Sequence, residues 1–183
     1  MIRLVLALFL SFAPVMAVAQ DVAENEDATE LSRYYVVESG EELPTLKEVA
    51  SMRERYLSAL DSSGCENALP LITDFHKKAN LVANIIRRGN EPFYDASRDE
   101  RDAVMRKPQL RDELISAENA FNALLRDRNE AWVKEAECMI ETGNERDGVA
   151  GLMRALNFIS PGETEVWESA RELLWGQVDY ADD

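Results

Sequence analysis

The chain has 183 residues, with 35 acidic against 20 basic side chains and a formal net charge of −15 at neutral pH. A surplus of negative charge on this scale repels polyanions at long range, which argues against nucleic acid and anionic lipid as partners and favours basic proteins, peptides or cations. Two cysteines and a single histidine are also a poor set for structural zinc, which takes four Cys or His ligands in close pairs.

Arg3 is followed by an apolar run from Leu4 to Val18, broken by Ser11 and Pro14, that ends in Ala17-Val18-Ala19. This is the pattern of a secretory signal peptide, residues 1–19, cleaved after a small-x-small site. The run falls short of the roughly 20 apolar residues that a membrane-spanning helix needs. The expected product, residues 20–183, is therefore periplasmic or secreted, with no stable membrane insertion after cleavage. In an oxidising compartment the two cysteines, Cys65 and Cys138, are expected to form a disulfide.

Residues 20–44 form an acidic leader. Between Asp21 and Glu42 there are eight acids and one base, Arg33, a composition that predicts a largely disordered segment. Its one apolar cluster, Tyr34-Tyr35-Val36-Val37, is expected to pack back onto the domain.

Residues 45–183 read as a single all-α domain of about seven helices in antiparallel pairs. Thr45 and Glu48 have the spacing of a capping box that opens helix one, and Ser62-Ser63-Gly64 closes it. Helix two carries Ala68, Ile72, Phe75, Ala79, Val82 and Ile86 as one continuous apolar stripe, with Gly89-Asn90 and Pro92 as its stop. A second capping box at Ser97 and Glu100 opens a short third helix, which Lys107-Pro108 interrupts. Leu110, Leu114, Ala117, Phe121 and Leu124 mark helix four. Asn129 is expected to cap helix five, which ends at Gly143. Helix six spans about 145–158 and helix seven about 164–175, with Pro161-Gly162 between them.

Trp132 and Trp167 stand 35 residues apart and enclose two helices and two turns, close to the period of about 34 residues of a tetratricopeptide unit. Residues 129–176 resemble that repeat, with a looser echo over 45–88. Trp132 matches its first aromatic, Ala136 the small residue where helices touch, Met139 the bulky position one turn on and Gly143 the turn between helices. In the second helix Gly148 matches the small crossing residue, Leu152 the large apolar one, Ala155 the next small one and Pro161 the closing proline. Glu135 stands where the family has leucine. The resemblance implies a tetratricopeptide-like right-handed stack, capped by the helix that starts at Thr164. It also implies a role in holding a protein or peptide partner.

Candidate chemistry is sparse. His76 has no orienting partner or nucleophile within any sequence pattern and reads as an exposed or capping residue. Asp95, Ser97 and Asp99 open like a calcium loop, but Glu100 and Arg106 occupy the positions that need glycine and a bidentate glutamate. Lys77-Lys78 and Arg87-Arg88 read as solvated edges with salt bridges inside the fold. No catalytic, cofactor or metal residues are expected. The expected function is that of an exported scaffold or adaptor, not an enzyme. It would hold a protein or peptide, favoured to be basic, in a cleft lined by helices two, five and six. A glycan hydrolase using an acidic residue and an acidic holdase chaperone are the alternatives.

Overall fold

The computed structural model describes residues 43–180. The expected signal peptide, the expected leader up to residue 42 and its Tyr34-Tyr35-Val36-Val37 cluster lie outside the described residues. All regular structure within them is helical: α1 (Leu46–Tyr94), α2 (Arg98–Met105), α3 (Pro108–Glu141), α4 (Glu145–Leu156) and α5 (Thr164–Gly176). The expected all-α class holds, with five helices rather than about seven.

Both capping boxes form. Thr45 accepts from the Glu48 backbone N–H while the Glu48 carboxylate accepts from the Thr45 backbone N–H, and Ser97 and Glu100 repeat the arrangement at the start of α2. Each exchange satisfies two backbone donors that a helix start leaves unpaired. The capping role accounts for Ser97 and Glu100 without a cation.

α1 is broken at Gly64, whose backbone (φ 73°, ψ −177°) lies in a region open to glycine almost alone. The break folds α1 into two arms, residues 46–63 and 65–94, which pack on one another through Tyr56 and Phe75, ring centroids 5.1 Å apart. The second arm does not stop at Gly89-Asn90. It continues through Pro92 to Tyr94, the Asn90 side chain donating to the Ile86 carbonyl and Arg88 pairing with Glu91. A proline removes one helix hydrogen bond but leaves the turns after it free to form.

The second correction concerns α3, which is one helix of 34 residues where the sequence pointed to two. Asn129 is not an N-cap: it lies buried at mid-helix, 1% exposed. The polar run from Arg126 to Glu130 looked like a boundary because it interrupts the apolar stripe of helix four. No Gly or Pro lies within it, and Asp127, Arg128 and Glu130 find partners on α1.

α3 carries two apolar stripes and belongs to two cores. Leu124, Ala131 and Cys138, seven residues apart, face the arms of α1 in a cluster with Val49, Tyr56, Ile72 and Phe75. Val133 and Ala136 face α4 and α5 in a second cluster with Leu152, Ala155, Ile159 and Ala170. The expected disulfide is present: Cys65 and Cys138 are bonded, with Cα atoms 4.9 Å apart, and tie the start of the second arm to the last turns of α3.

The α3–α4 turn is a Schellman motif. Gly143 (φ 89°) donates to the Ile140 carbonyl and Asn144 to that of Met139, pairing carbonyls that the helix end would otherwise leave open. α4 then crosses α3 at Gly148. A Cβ there would lie 2.5 Å from Ile140 Cγ1 and 2.8 Å from the Ala136 carbonyl oxygen.

That contact yields a prediction of sign. Alanine is favoured over glycine in a helix by about 1 kcal/mol, yet the backbone oxygen of Ala136 cannot swing away as a side chain would. Gly148→Ala is therefore expected to destabilise by about 1–2 kcal/mol net of that gain. Gly89, also helical but with nothing within 4 Å of such a Cβ, should respond oppositely, Gly89→Ala stabilising by about 1 kcal/mol. Urea unfolding of the two variants decides; equal shifts would mean that the α3–α4 crossing yields enough to admit a methyl group.

Candidate interaction surface

Apart from Met139, and from Gly143 and Pro161, which lie exposed in the α3–α4 turn and the α4–α5 loop, the positions matched to the repeat fall where α3, α4 and α5 meet. Ala136, Gly148, Leu152 and Ala155 are buried. Met139 is half-buried on the opposite side of α3, beside Leu69 and Pro70 of α1. Trp132 and Trp167 pack half-buried against the same cluster. Each lies under a guanidinium one turn away along its own helix, Arg128 4.3 Å from the Trp132 centroid and Arg171 4.4 Å from that of Trp167. At such distances the ring face attracts the cation.

Glu135, which departs from the repeat pattern, turns toward the second arm of α1. It accepts from Thr73 Oγ1 and from His76 Nε2, the latter at 3.1–3.2 Å. Trp132 Nε1 donates to His76 Nδ1 at 3.2 Å. An indole N–H only donates, so Nδ1 is the accepting nitrogen and the proton sits on Nε2, facing the carboxylate. His76 is thus neither exposed nor a cap but a link between the two cores, with both ring nitrogens engaged. Burial pushes the Glu135 carboxyl up, but the hydrogen bonds from His76 and Thr73 outweigh it and hold the group below the usual carboxylate range.

A second polar chain runs one turn earlier. Arg128 Nη1 donates to Asn80 Oδ1 at 2.7 Å and Nη2 to Asn129 Oδ1 at 2.9 Å, while Asn129 Nδ2 donates to Glu163 at 3.0 Å. Burial lowers the pKa of Arg128, against the pull of the Glu163 charge. Asn80, Arg128, Asn129 and Glu163 come from α1, α3 and the turn before α5. Their approach depends on tertiary packing that spacing along the chain does not encode.

On the other side of α3 lies an open cleft of about 410 Å³. Arg53 of the first arm, Glu130, Val133 and Lys134 of α3, and Glu165, Val166 and Ser169 of α5 line it. It continues along α5 into a hollow lined by Arg126, Gly162, Glu163 and Thr164, with Glu165 and Val166 shared. A second hollow, of about 460 Å³ and lined by Leu69, Pro70, Thr73, Asp74, Lys77 and Met139, lies between helices two and five of the sequence reading, while this cleft draws on helices one, five and seven. The structure sets the first arm of α1 beside α3, and α3 beside α5, along this face.

One wall is held by ion pairs: Arg53 Nη2 donates to Glu130 at 2.6 Å and Arg53 Nε lies 3.4 Å from Asp127. Burial lowers the pKa of Arg53, but the hydrogen bond and charge of Glu130, with Asp127, raise it by more. Burial raises the Asp127 carboxyl, opposed by Arg53. Beneath them the Tyr56 hydroxyl is buried without a hydrogen-bond partner, and burial together with the Glu130 charge holds it protonated well above its ordinary pKa. The rim carries Glu130, Glu163 and Glu165 together with Arg53, Lys134 and Arg126, around an apolar floor of Val133 and Val166. Such a surface can seat small apolar side chains; with Glu130 engaged by Arg53 and Glu163 by Asn129, Glu165 is the carboxylate it offers to a basic neighbour.

Among the described residues no group of three His, Cys, Asp or Glu side chains is placed to hold a metal ion, and no helix is long and apolar enough to cross a membrane. No protein-family model, curated protein or solved structure matches this chain.

Proposed function

We propose that this chain is an exported protein-interaction module of tetratricopeptide-like build, holding an extended basic segment of a partner protein in the cleft between the first arm of α1, α3 and α5. The observation that carries the reading is the cleft itself. Three alternate helices, separated in sequence by the second arm and α4, present one face each to a common groove with a valine floor and a carboxylate rim. Alternate helices lining one side is the arrangement by which stacked helix pairs build a binding surface. The Gly148 crossing and the shared packing of Trp132 and Trp167 support the repeat reading. The disulfide supports an oxidising compartment, in keeping with export.

Glu165 is exposed on the rim in the first turn of α5, so reversing its charge tests the cleft at the cost of a helix-end effect of about 0.3–1 kcal/mol. Peptide arrays that alternate Lys or Arg with small apolar residues should capture residues 20–183. Glu165→Lys should weaken that capture by about tenfold, or about 1.4 kcal/mol. Equal capture of acidic and basic peptides, or an unchanged Glu165→Lys, would refute the assignment of this cleft.

A further inference from the structure

Between Ala83 and Leu124 no side chain is buried, although this stretch is helical almost throughout. Here the second arm of α1 and the first half of α3 run on as a two-helix hairpin, with α2 at its tip and, among the described residues, no third helix alongside. Helices draw most of their stability from burying an apolar face, and this hairpin leaves much of its own uncovered. Ile85, Tyr94 and Ile115 are 42%, 45% and 45% exposed.

Two hollows lie along the hairpin. One, of about 210 Å³, has Ile86, Tyr94 and Phe121 among its walls. The other, of about 490 Å³, is walled by Phe93, Val104, Leu110 and Leu114. They share Asn90 and Ala117, so the apolar surface is continuous.

The charge distribution allows a second copy as the occupant. The chain as a whole is strongly acidic, and copies of it repel. Residues 43–83, with five basic and five acidic side chains, and residues 84–123, with seven and eight, are however both close to neutral, the hairpin among them. Residues 124–180, which include α4 and α5, carry six basic against twelve acidic. Two copies meeting hairpin to hairpin keep their acidic ends apart.

The banks of the smaller hollow are also self-complementary: Arg87 stands exposed on the second arm and Glu118 exposed on α3. In a two-fold contact residue i meets j and j meets i. The second arm of one copy laid against α3 of the other therefore brings each Arg87 to the Glu118 of its partner. We infer that the hairpin formed by residues 84–123 is a dimerisation surface, and that two copies of this chain pair through it as an antiparallel four-helix bundle.

Sedimentation equilibrium on residues 20–183, with the disulfide intact, tests the inference apart from peptide capture. The expected mass is twice that of the chain at about 10 μM and above. Ala117→Arg places a long cation on the shared floor of both hollows and should halve the mass while the helical circular dichroism is kept. Arg87→Glu should weaken the dimer, and Arg87→Glu with Glu118→Arg should restore it. A parent protein that stays monomeric at about 100 μM, a dimer that survives Ala117→Arg, or a double variant no better than the single would each overturn the proposal. Peptide capture by the monomeric Ala117→Arg variant is expected to persist, so failure of this surface and failure of the cleft are told apart.

Discussion

Removal of the Cys65–Cys138 bond is expected to lower the unfolding free energy by about 4 kcal/mol, the largest effect of any single covalent change in this fold. The bond spans 73 residues of sequence, and the loop it closes contains the whole hairpin of the second arm and α3. Cross-linking distant points of the unfolded chain removes conformations that the reduced chain would otherwise explore, and the loss grows with the logarithm of loop length. The folded state loses little by comparison, because packing in the first cluster already holds both residues in place. Small domains are stable by only about 5–15 kcal/mol in total, so the reduced protein should unfold at a far lower urea concentration. Urea titrations of the oxidised protein and of Cys65→Ala with Cys138→Ala measure the difference. A shift below about 1 kcal/mol would mean that the unfolded chain is already compact around this loop. Intact mass with and without reductant should differ by two hydrogens, which reads the bond directly.

Helix class, both capping boxes, the Gly64 break, the α3–α4 turn and the disulfide were all legible in the sequence, because each depends on residues near one another or on a count of two. The errors share one cause. The stop at Gly89-Asn90 and the cap at Asn129 were inferred from polar or helix-weakening residues in an apolar pattern, where tertiary partners supply what the local sequence lacks. Asn129 is satisfied by Arg128 and by Glu163, 34 residues away, and no local pattern can distinguish that from a cap. His76 was misread for the same reason, since its partners Glu135 and Trp132 lie on another helix. Glu135 was the one available signal: a charged residue at a position where the repeat has leucine needs a buried polar partner on the neighbouring helix. The cleft was the least legible feature. Its walls come from three helices whose relative rotation is fixed by the two faces of α3, and those faces emerge only once α3 is known to be continuous.

That continuity makes Arg128 the residue on which the joining of the two cores most depends. Arg128→Ala is expected to destabilise the protein by about 3 kcal/mol, within the range for breaking a buried charged network by removing one member. The guanidinium lies 4.3 Å over Trp132 and 6.0 Å from Phe158, bonds to Asn80 on α1 and to Asn129, and through Asn129 reaches Glu163. Truncation strips the cation from two aromatic faces. It also leaves the buried Asn129 oxygen without a donor and opens a gap between the clusters. Arg128→Met retains much of the stem and its packing and should recover part of the loss but none of the hydrogen bonding. Full recovery by methionine would show that packing alone matters and that the polar chain contributes nothing. Trp132, Trp167 and Trp175 all pack with α4 and α5 or lie within α5. Tryptophan fluorescence therefore reports the second cluster, whereas far-ultraviolet circular dichroism reports every helix. In the parent protein the two signals should change together. In Arg128→Ala fluorescence should change at lower urea than circular dichroism, because the second cluster loses one of its two polar ties to α1, keeping only the His76 link, while the disulfide still holds α1 to α3.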